Sequence, residues 1–247
     1  MALVCAQCHA EITVLANESM PYCGLIDGKP AGMAVEILNA ASLVGAPRFR
    51  FDFSRPWARA QLEVLRNPQL AIIPFSRSKE REAHYQWIAV LWSSPLWLAT
   101  SDRQTELSSI AQAHGLRIGV LRASPFKPLL LSLGLNNLNE VPDENSARML
   151  HAGHIDAWAV SAYVGAYLWK KIGQPPATLH FGPQLGAPFE LYIAASPHFS
   201  VDDARAISIA LKRVRSDGTL AKILAKYRTP QSAPRVISVA PPRLETP

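Results

Sequence analysis

Two cysteines and a histidine near the start of the chain have the spacing of a haem-attachment motif. Cys5 and Cys8 are separated by two residues and His9 follows directly, which is the Cys-x-x-Cys-His pattern of c-type haem. The residues around them are small and apolar, as at the end of a secretion signal. We therefore expect residues 1–10 to be the remnant of a signal peptide, with haem, zinc or redox roles as the alternatives. Removal of this segment would leave Cys23 as a lone thiol.

A second pair of possible ligands is His151 and His154, which have metal-ligand spacing if they lie on a helix. Gly153 breaks that geometry, and no acid or cysteine nearby completes a site. The sequence also lacks a nucleophile elbow, a phosphate-binding glycine loop and a His-Glu-x-x-His motif. We expect neither a metal nor a cofactor.

Arg81 is the residue whose chemistry is best supported by its place in the sequence. A guanidinium offers a rigid fork of donors that pairs with both oxygens of a carboxylate. Arg81 comes shortly after the apolar run 70–73, on a turn that also carries Ser76 and Ser78. Ligands of open parallel sheets bind at the carboxyl ends of the strands. The sequence thus predicts that Arg81 binds a ligand carboxylate, and the alternative is a surface arginine paired with a neighbouring glutamate.

The elements that must position these residues alternate between two periodicities. Apolar or alternating runs predict strands, and i, i+3, i+4 apolar spacing predicts helices. This order favours a largely parallel sheet flanked by helices. In the first half, strands are predicted at 12–16, 49–53 and 70–73, a hairpin around Asp27-Gly28, and helices at 34–44 and 58–65.

The second half of the chain restarts the same pattern. We expect Ser124 to cap a new helix whose first residue is Pro125. Strands are predicted at 116–121, 157–160 and 191–195, a helix at 163–172, and two closing helices that meet near Gly218. The predicted organisation is one lobe from 11–98 plus 190–228, a second from 100–186, and a proline-rich tail at 229–247.

Several blocks in this order resemble the amino-acid-type (family 3) extracellular solute-binding proteins of bacterial ABC importers. They are PWARA at 56–60, SRSKERE at 76–82, GHIDA at 153–157 and DGTL at 217–220. The resemblance covers about residues 11–228. It implies an α/β chain with the two-lobed type II periplasmic binding protein fold, each lobe a mostly parallel sheet flanked by helices, joined by a two-strand hinge. It also implies hinge closure around a small amino-acid-like ligand and no catalysis.

The resemblance assigns roles to particular residues. Arg81 would hold the α-carboxylate of the ligand beside Ser76 and Ser78, and Trp57 would cover the ligand side chain. Trp57 is also compatible with an ordinary core position. Ser124, at a predicted helix N-terminus, has backbone donors suited to an anion, and capping alone is the alternative.

The chain departs from this family where relatives that bind α-amino acids place an acid after the second-lobe strand. Here that position is Ser161, which cannot neutralise an ammonium group. Glu18, Glu36 or Asp143 could supply the missing charge, although none stands at the expected place. Two alternative ligand classes therefore remain: a ligand that carries only a carboxylate, and an amino-acid derivative.

Composition limits the other functions. The net charge is +6, but the basic residues are scattered, so we expect no nucleic-acid partner. No apolar run approaches the length of a membrane span. With the resemblance, these features predict a monomeric periplasmic protein whose partners are a small ligand and an ABC permease.

Two alternatives belong to other functional classes. The first is an enzyme on the same fold, similar to cyclohexadienyl or prephenate dehydratases, which would need an acid or base in the cleft. Glu36 and Glu190 are the carboxylates to inspect for that role. The second is a sensory or accessory periplasmic protein associated with an oxidoreductase system, in which ligand binding has decayed.

Overall fold

The computed structural model describes residues 11–102, 104, 106–122 and 124–227. The predicted signal-peptide remnant at 1–10, with its Cys-x-x-Cys-His motif, and the predicted tail at 229–247 lie outside these residues. The strands are β1 (Ile12–Ala16), β2 (Gly24–Ile26), β3 (Lys29–Ala31), β4 (Phe49–Asp52), β5 (Leu70–Ser76), β6 (Gln86–Ser94), β7 (Leu96–Ser101), β8 (Ile118–Leu121), β9 (Leu138–Val141), β10 (Ala157–Ser161), β11 (Leu179–Gln184) and β12 (Phe189–Ala195). The helices are α1 (Met33–Leu43), α2 (Trp57–Arg66), α3 (Lys79–Glu82), α4 (Phe126–Ser132), α5 (Asp143–Ala152), α6 (Ala162–Lys171), α7 (Val201–Ser216) and α8 (Thr219–Lys226).

The first sheet has the strand order β4-β1-β5-β12-β6. β1 lies parallel to β4 and β5, as the β-α-β-α-β sequence pattern predicts. β12 returns from late in the chain and pairs antiparallel with β5 and β6. Helices α1 and α7 cover this sheet, and their apolar faces, including Ile37 and Ile207, are fully buried against it. This layer therefore has a core of its own.

The second sheet has the order β11-β7-β10-β8-β9. Strands β8, β9 and β10 run parallel, whereas β7 and β11 are antiparallel to their neighbours. Its two hydrophobic clusters pack on opposite faces and include Leu98, Val120 and Trp158. The two sheets with their helices form two lobes, which confirms the predicted fold class.

The chain passes between the lobes twice. Pro95 separates β6 of the first sheet from β7 of the second, slightly earlier than the predicted boundary near residue 98. The return lies between Gln184 and Phe189. The two lobes are therefore joined by two connections, each of which links the end of one strand to the start of the next.

The predicted hairpin at Asp27-Gly28 forms between β2 and β3. Asp27 has a φ of 50° and Gly28 a φ of 73°. Positive φ at both central residues is what a two-residue hairpin turn of type I′ requires, and an Asp-Gly pair accepts it readily. Among the described residues, no helix is long and apolar enough to cross a membrane.

Candidate functional site

Two adjoining cavities lie between the lobes, and each is lined from both sides. The Arg81 cavity, of about 670 Å³, has Trp57 and Arg81 from the first lobe and Tyr167 from the second. The Phe126 cavity, of about 770 Å³, is more apolar and includes Phe126 and Phe189. They share seven lining residues, Tyr22, Ser76, Leu121, Pro125, Asp143, Val164 and Leu191. Together they form one inter-lobe cleft.

Arg81 lies on α3, just beyond the carboxyl end of β5, and its guanidinium lines the Arg81 cavity. Nη1 donates to the carbonyl of Ser76 at 3.0 Å and to its hydroxyl at 3.2 Å. Nη2 donates to Oε1 of Gln61 at 3.1 Å. The guanidinium carbon lies 4.4 Å from the centre of the Phe75 ring. These contacts fix the orientation of the side chain, and no acid among the described residues forms an ion pair with it.

The neighbouring Arg77 explains why Arg81 has no ion pair with the adjacent glutamate. Arg77 Nε donates to Glu82 at 2.9 Å, and its guanidinium lies over the rings of Trp87 and Tyr192 at 5.3 and 5.2 Å. The hydrogen bond and charge of Arg77 lower the pKa of the Glu82 carboxyl. Glu82 therefore forms its ion pair with Arg77 and not with Arg81.

The other predicted ligand residues, apart from Ser78, line one or both cavities. Ser76 lines both, and Glu18 lines the Arg81 cavity together with Trp57, whose ring also packs edge-on against Phe75. Ser124 lines the Phe126 cavity. Ser78 lines neither cavity and lies at the start of α3, where its side chain interacts with Glu80.

The start of α4 differs from the sequence-based expectation. The helix begins at Phe126, so Pro125 is the capping residue rather than the first helical one. Ser124 still supports this end, because its hydroxyl accepts from the Phe126 amide at 3.3 Å and donates to the Leu121 carbonyl at 2.6 Å. Pro125 has a φ of −70°, which is already close to a helical value. The observed start of the helix therefore differs from the predicted start by one residue.

Ser161 is joined to the opposite lobe. Its hydroxyl lies 2.6 Å from that of Tyr22 and also accepts from the Val164 amide at 3.3 Å, capping α6. Burial raises the pKa of Tyr22 to about 12, against the opposing effect of the Ser161 hydrogen bond. The Tyr22 hydroxyl is therefore neutral, and it is the group that contacts the Ser161 side chain from the first lobe.

Among the described residues, Asp143 is the acid that lines both cavities of the cleft. It is the first residue of α5 and lines both cavities. Its Oδ1 accepts a hydrogen bond from Trp158 Nε1 at 3.2 Å. Burial raises the pKa of this carboxyl to about 6, and the Trp158 hydrogen bond opposes the rise only in part. The sequence analysis named Asp143 only as one of three possible acids, and it did not identify Tyr22 or Gln61 as residues of the site.

The two carboxylates inspected for catalysis lie in different surroundings. Glu36 is outside both cavities and accepts from Lys226 Nζ and the Tyr227 hydroxyl, each at 2.6 Å. Burial acts against its ionisation, but these two hydrogen bonds prevail and lower its pKa. Glu190 is exposed, lines the Phe126 cavity and accepts from the Tyr192 hydroxyl. Glu190 is thus the one of the two that faces the cleft.

A metal site is not formed by the histidines singled out above. Within the described ranges, no group of three or more histidines, cysteines, aspartates or glutamates could hold a metal ion. The His151 ring contacts that of Trp169, with centroids 6.0 Å apart, at the end of α5. Cys23 is buried, its thiol donates to the Asn17 carbonyl at 3.0 Å, and burial raises its pKa to about 12.

Comparison with known proteins identifies the fold. No protein-family model and no curated protein sequence matches the chain. Among solved structures, the probable amino-acid ABC transporter extracellular-binding protein ytmK from Bacillus subtilis matches with a TM-score of 0.75 and 17% identity, over 88% of this chain and 97% of that one. Substrate-binding domain 2 of GlnP from Lactococcus lactis, in an open conformation, matches with a TM-score of 0.72 and 19% identity, over 88% and 95%. A histidine kinase sensor domain with similarity to periplasmic binding proteins gives 0.72 and 19%, over 89% and 96%.

At these identities the likeness establishes the fold. The chain has the two-lobed fold of type II periplasmic binding proteins, as its sequence blocks predicted.

Proposed function

We propose that this protein is a periplasmic solute-binding protein, which captures a small carboxylate-bearing, amino-acid-like ligand between its lobes and delivers it to an ABC importer. One observation carries the proposal. A half-buried arginine, Arg81, lines the inter-lobe cavity with its guanidinium oriented by Ser76 and Gln61, and it forms no ion pair with any described acid. A carboxylate in this cavity would meet a preorganised fork of donors.

The fold supports the same proposal through its two-sided cleft. Tyr22 of the first lobe and Ser161 of the second already hydrogen bond across it, so the lobes are in direct contact beside the two cavities. A ligand that contacts both lobes stabilises the closed arrangement over the open one by its differential affinity. In this mechanism the ligand is bound and released unchanged. The ytmK protein is described as the probable extracellular-binding protein of an amino-acid ABC transporter, and GlnP domain 2 as a substrate-binding domain, which is consistent with the same role here.

The first experiment is a thermal-shift screen of the purified protein against the standard L-amino acids, their derivatives and small organic acids. A ligand at about 100 times its dissociation constant adds roughly 2.7 kcal/mol to the free energy of unfolding, which is readily detected as a higher melting temperature. If neither amino acids, their derivatives nor organic acids raise it, the solute-binding proposal fails.

The second experiment replaces Arg81 and measures affinity by calorimetry with the strongest ligand from the screen. Loss of one partner of a buried charge pair weakens binding by about 2–5 kcal/mol, so Arg81→Ala should reduce affinity at least about thirtyfold. Arg81→Lys keeps the charge without the planar fork and should fall between the wild type and Arg81→Ala.

A matched control removes an arginine that lies away from the cleft. Arg59 on α2 is 70% exposed and pairs with Glu63, so Arg59→Ala should leave affinity nearly unchanged. Arg81→Ala should also leave the melting temperature of the unliganded protein close to that of the wild type. Little change in affinity, with a clear loss of stability, would mean that Arg81 is a structural residue and would refute its ligand role.

A further inference from the structure

Asp143 is an acid without a cationic partner at the centre of the cleft. It lines both cavities, and one carboxylate oxygen is held by the Trp158 indole. None of the described lysines, arginines and histidines forms an ion pair with it. The nearest acid in sequence differs, because Glu144 pairs with Arg148 at 3.0 Å and with Lys171 at 2.6 Å. These cations are therefore already engaged, and Asp143 faces the cavity with its charge uncompensated.

The residue at the related family's acid position cannot take this role. Ser161 carries no charge, and its hydroxyl is occupied by the Tyr22 hydroxyl and the Val164 amide. Asp143 enters the same cleft from the adjacent part of the second lobe. β10, which ends at Ser161, also carries Trp158, so the Trp158 hydrogen bond ties Asp143 to that strand.

We propose, building on the proposed function, that Asp143 binds a cationic amino group of the ligand while Arg81 binds its carboxylate. Both side chains line the Arg81 cavity, Arg81 from the first lobe and Asp143 from the second. The ligand class is therefore a zwitterion, an α-amino acid or a close derivative that keeps both charges. A simple carboxylic acid would leave Asp143 unpaired.

The physical basis is the unfavourable state of a lone buried carboxylate. Removing a charge from water without a partner is expensive, and the group responds by holding its proton more tightly. Burial raises the pKa of Asp143 to about 6, so the carboxyl is mostly ionised at neutral pH but poorly solvated. An ammonium group entering the cavity would supply the missing opposite charge, and its attraction is strong where water is excluded.

The test compares ligands that differ only in the amino group. The probes are the L-amino acid that gives the largest thermal shift and the carboxylic acid that lacks its amino group. With the wild-type protein, calorimetry should show tighter binding of the amino acid by at least about tenfold, which corresponds to about 1.4 kcal/mol. Asp143→Asn, which keeps the acceptor for Trp158, should lose most of that preference while its affinity for the deaminated acid stays similar.

Two further variants make the result specific. Asp143→Ser removes the charge with a smaller side chain and should lose the preference in the same way. Glu140→Gln removes a negative charge from β9 just before α5, where Glu140 pairs with Lys127 and lines neither cavity, so it should keep the preference. Melting curves establish that each variant is folded.

The outcomes separate this inference from the proposed function. If Arg81→Ala weakens binding but the wild type does not prefer the amino acid, or Asp143→Asn keeps that preference, the zwitterion assignment is wrong and the solute-binding role stands. If neither member of any ligand pair binds the wild type, both proposals fail.

Discussion

Asp143→Asn should make the unliganded protein more stable at neutral pH, because it removes a charge that the cleft leaves unpaired. Burial raises the pKa of the Asp143 carboxyl from 3.8 to about 6. Each pKa unit corresponds to about 1.4 kcal/mol, so the ionised carboxylate destabilises the folded state by about 3 kcal/mol at most.

The sign of the pH dependence follows from proton binding. Between pH 3.8 and about 6 the folded protein holds the Asp143 proton more tightly than the unfolded chain does. The contribution of this residue therefore becomes less favourable as pH rises through that window, and its full destabilisation is present above about pH 6. An amide does not titrate there. The stability advantage of Asp143→Asn should thus be small near about pH 4 and largest above about pH 6.

Urea denaturation of both proteins at a series of pH values measures this difference. Urea is uncharged and does not screen the electrostatic effect. The pKa values of Glu36, Asp52, Glu144 and Asp156 are lowered in the folded state, but these groups are common to both proteins and cancel in the comparison. A stability difference that does not vary between about pH 4 and about pH 7 would show that Asp143 is well solvated and would remove the physical basis of its ligand role.

Two further predictions concern the approach to the cleft. Gly32 has a φ of 107°, and an added Cβ would lie 2.8 Å from Cys23 Cα and 2.9 Å from the Tyr22 carbonyl. Gly32→Ala should therefore lower the free energy of unfolding, measured by urea denaturation, by roughly 2–5 kcal/mol. Gly28 has a φ of 73° but open space around it, so Gly28→Ala should lower it by about 1–2 kcal/mol. Equal losses would contradict the steric argument. Tyr22→Phe removes the 2.6 Å inter-lobe hydrogen bond to Ser161 and should lower stability by about 1 kcal/mol and increase the radius of gyration in X-ray scattering. An unchanged radius would show that this bond does not hold the lobes together.

Local patterns were sufficient to predict much of the fold. The alternation of Phe49 and Phe51 with polar residues predicted β4, and helical apolar spacing predicted α1 and α7. The apolar stretch from residue 88 to 100 was harder, because a continuous buried run has no periodicity that distinguishes a strand from a buried helix. It forms parts of β6 and β7, divided by Pro95, and it supplies the first passage between the lobes.

The site was predictable where it depends on local order along the chain. Arg81 comes within a few residues of the end of β5, so its place at the sheet edge followed from the strand itself. Asp143 could not be ranked above Glu18 or Glu36 in the same way, since its approach to the cleft depends on how α5 packs against β8 and β10. The available signal was the short run 138–141 followed by Pro142, which marks a strand end and a helix start.

The arrangement around Ser161 explains why this cleft does not need an acid at position 161. A carboxylate at position 161 would share the Phe126 cavity with Asp143, and two like charges in a poorly hydrated space raise each other's pKa until one of them is protonated. One negative charge balances one ammonium group, so the second acid would add repulsion without adding a partner. With serine at this place, the hydroxyl is free to cap α6 and to bond Tyr22 across the lobes. Position 161 therefore makes an inter-lobe contact and does not bind a charged ligand group. Among the described residues, Asp143 is the carboxylate without an ion pair that lines both cavities.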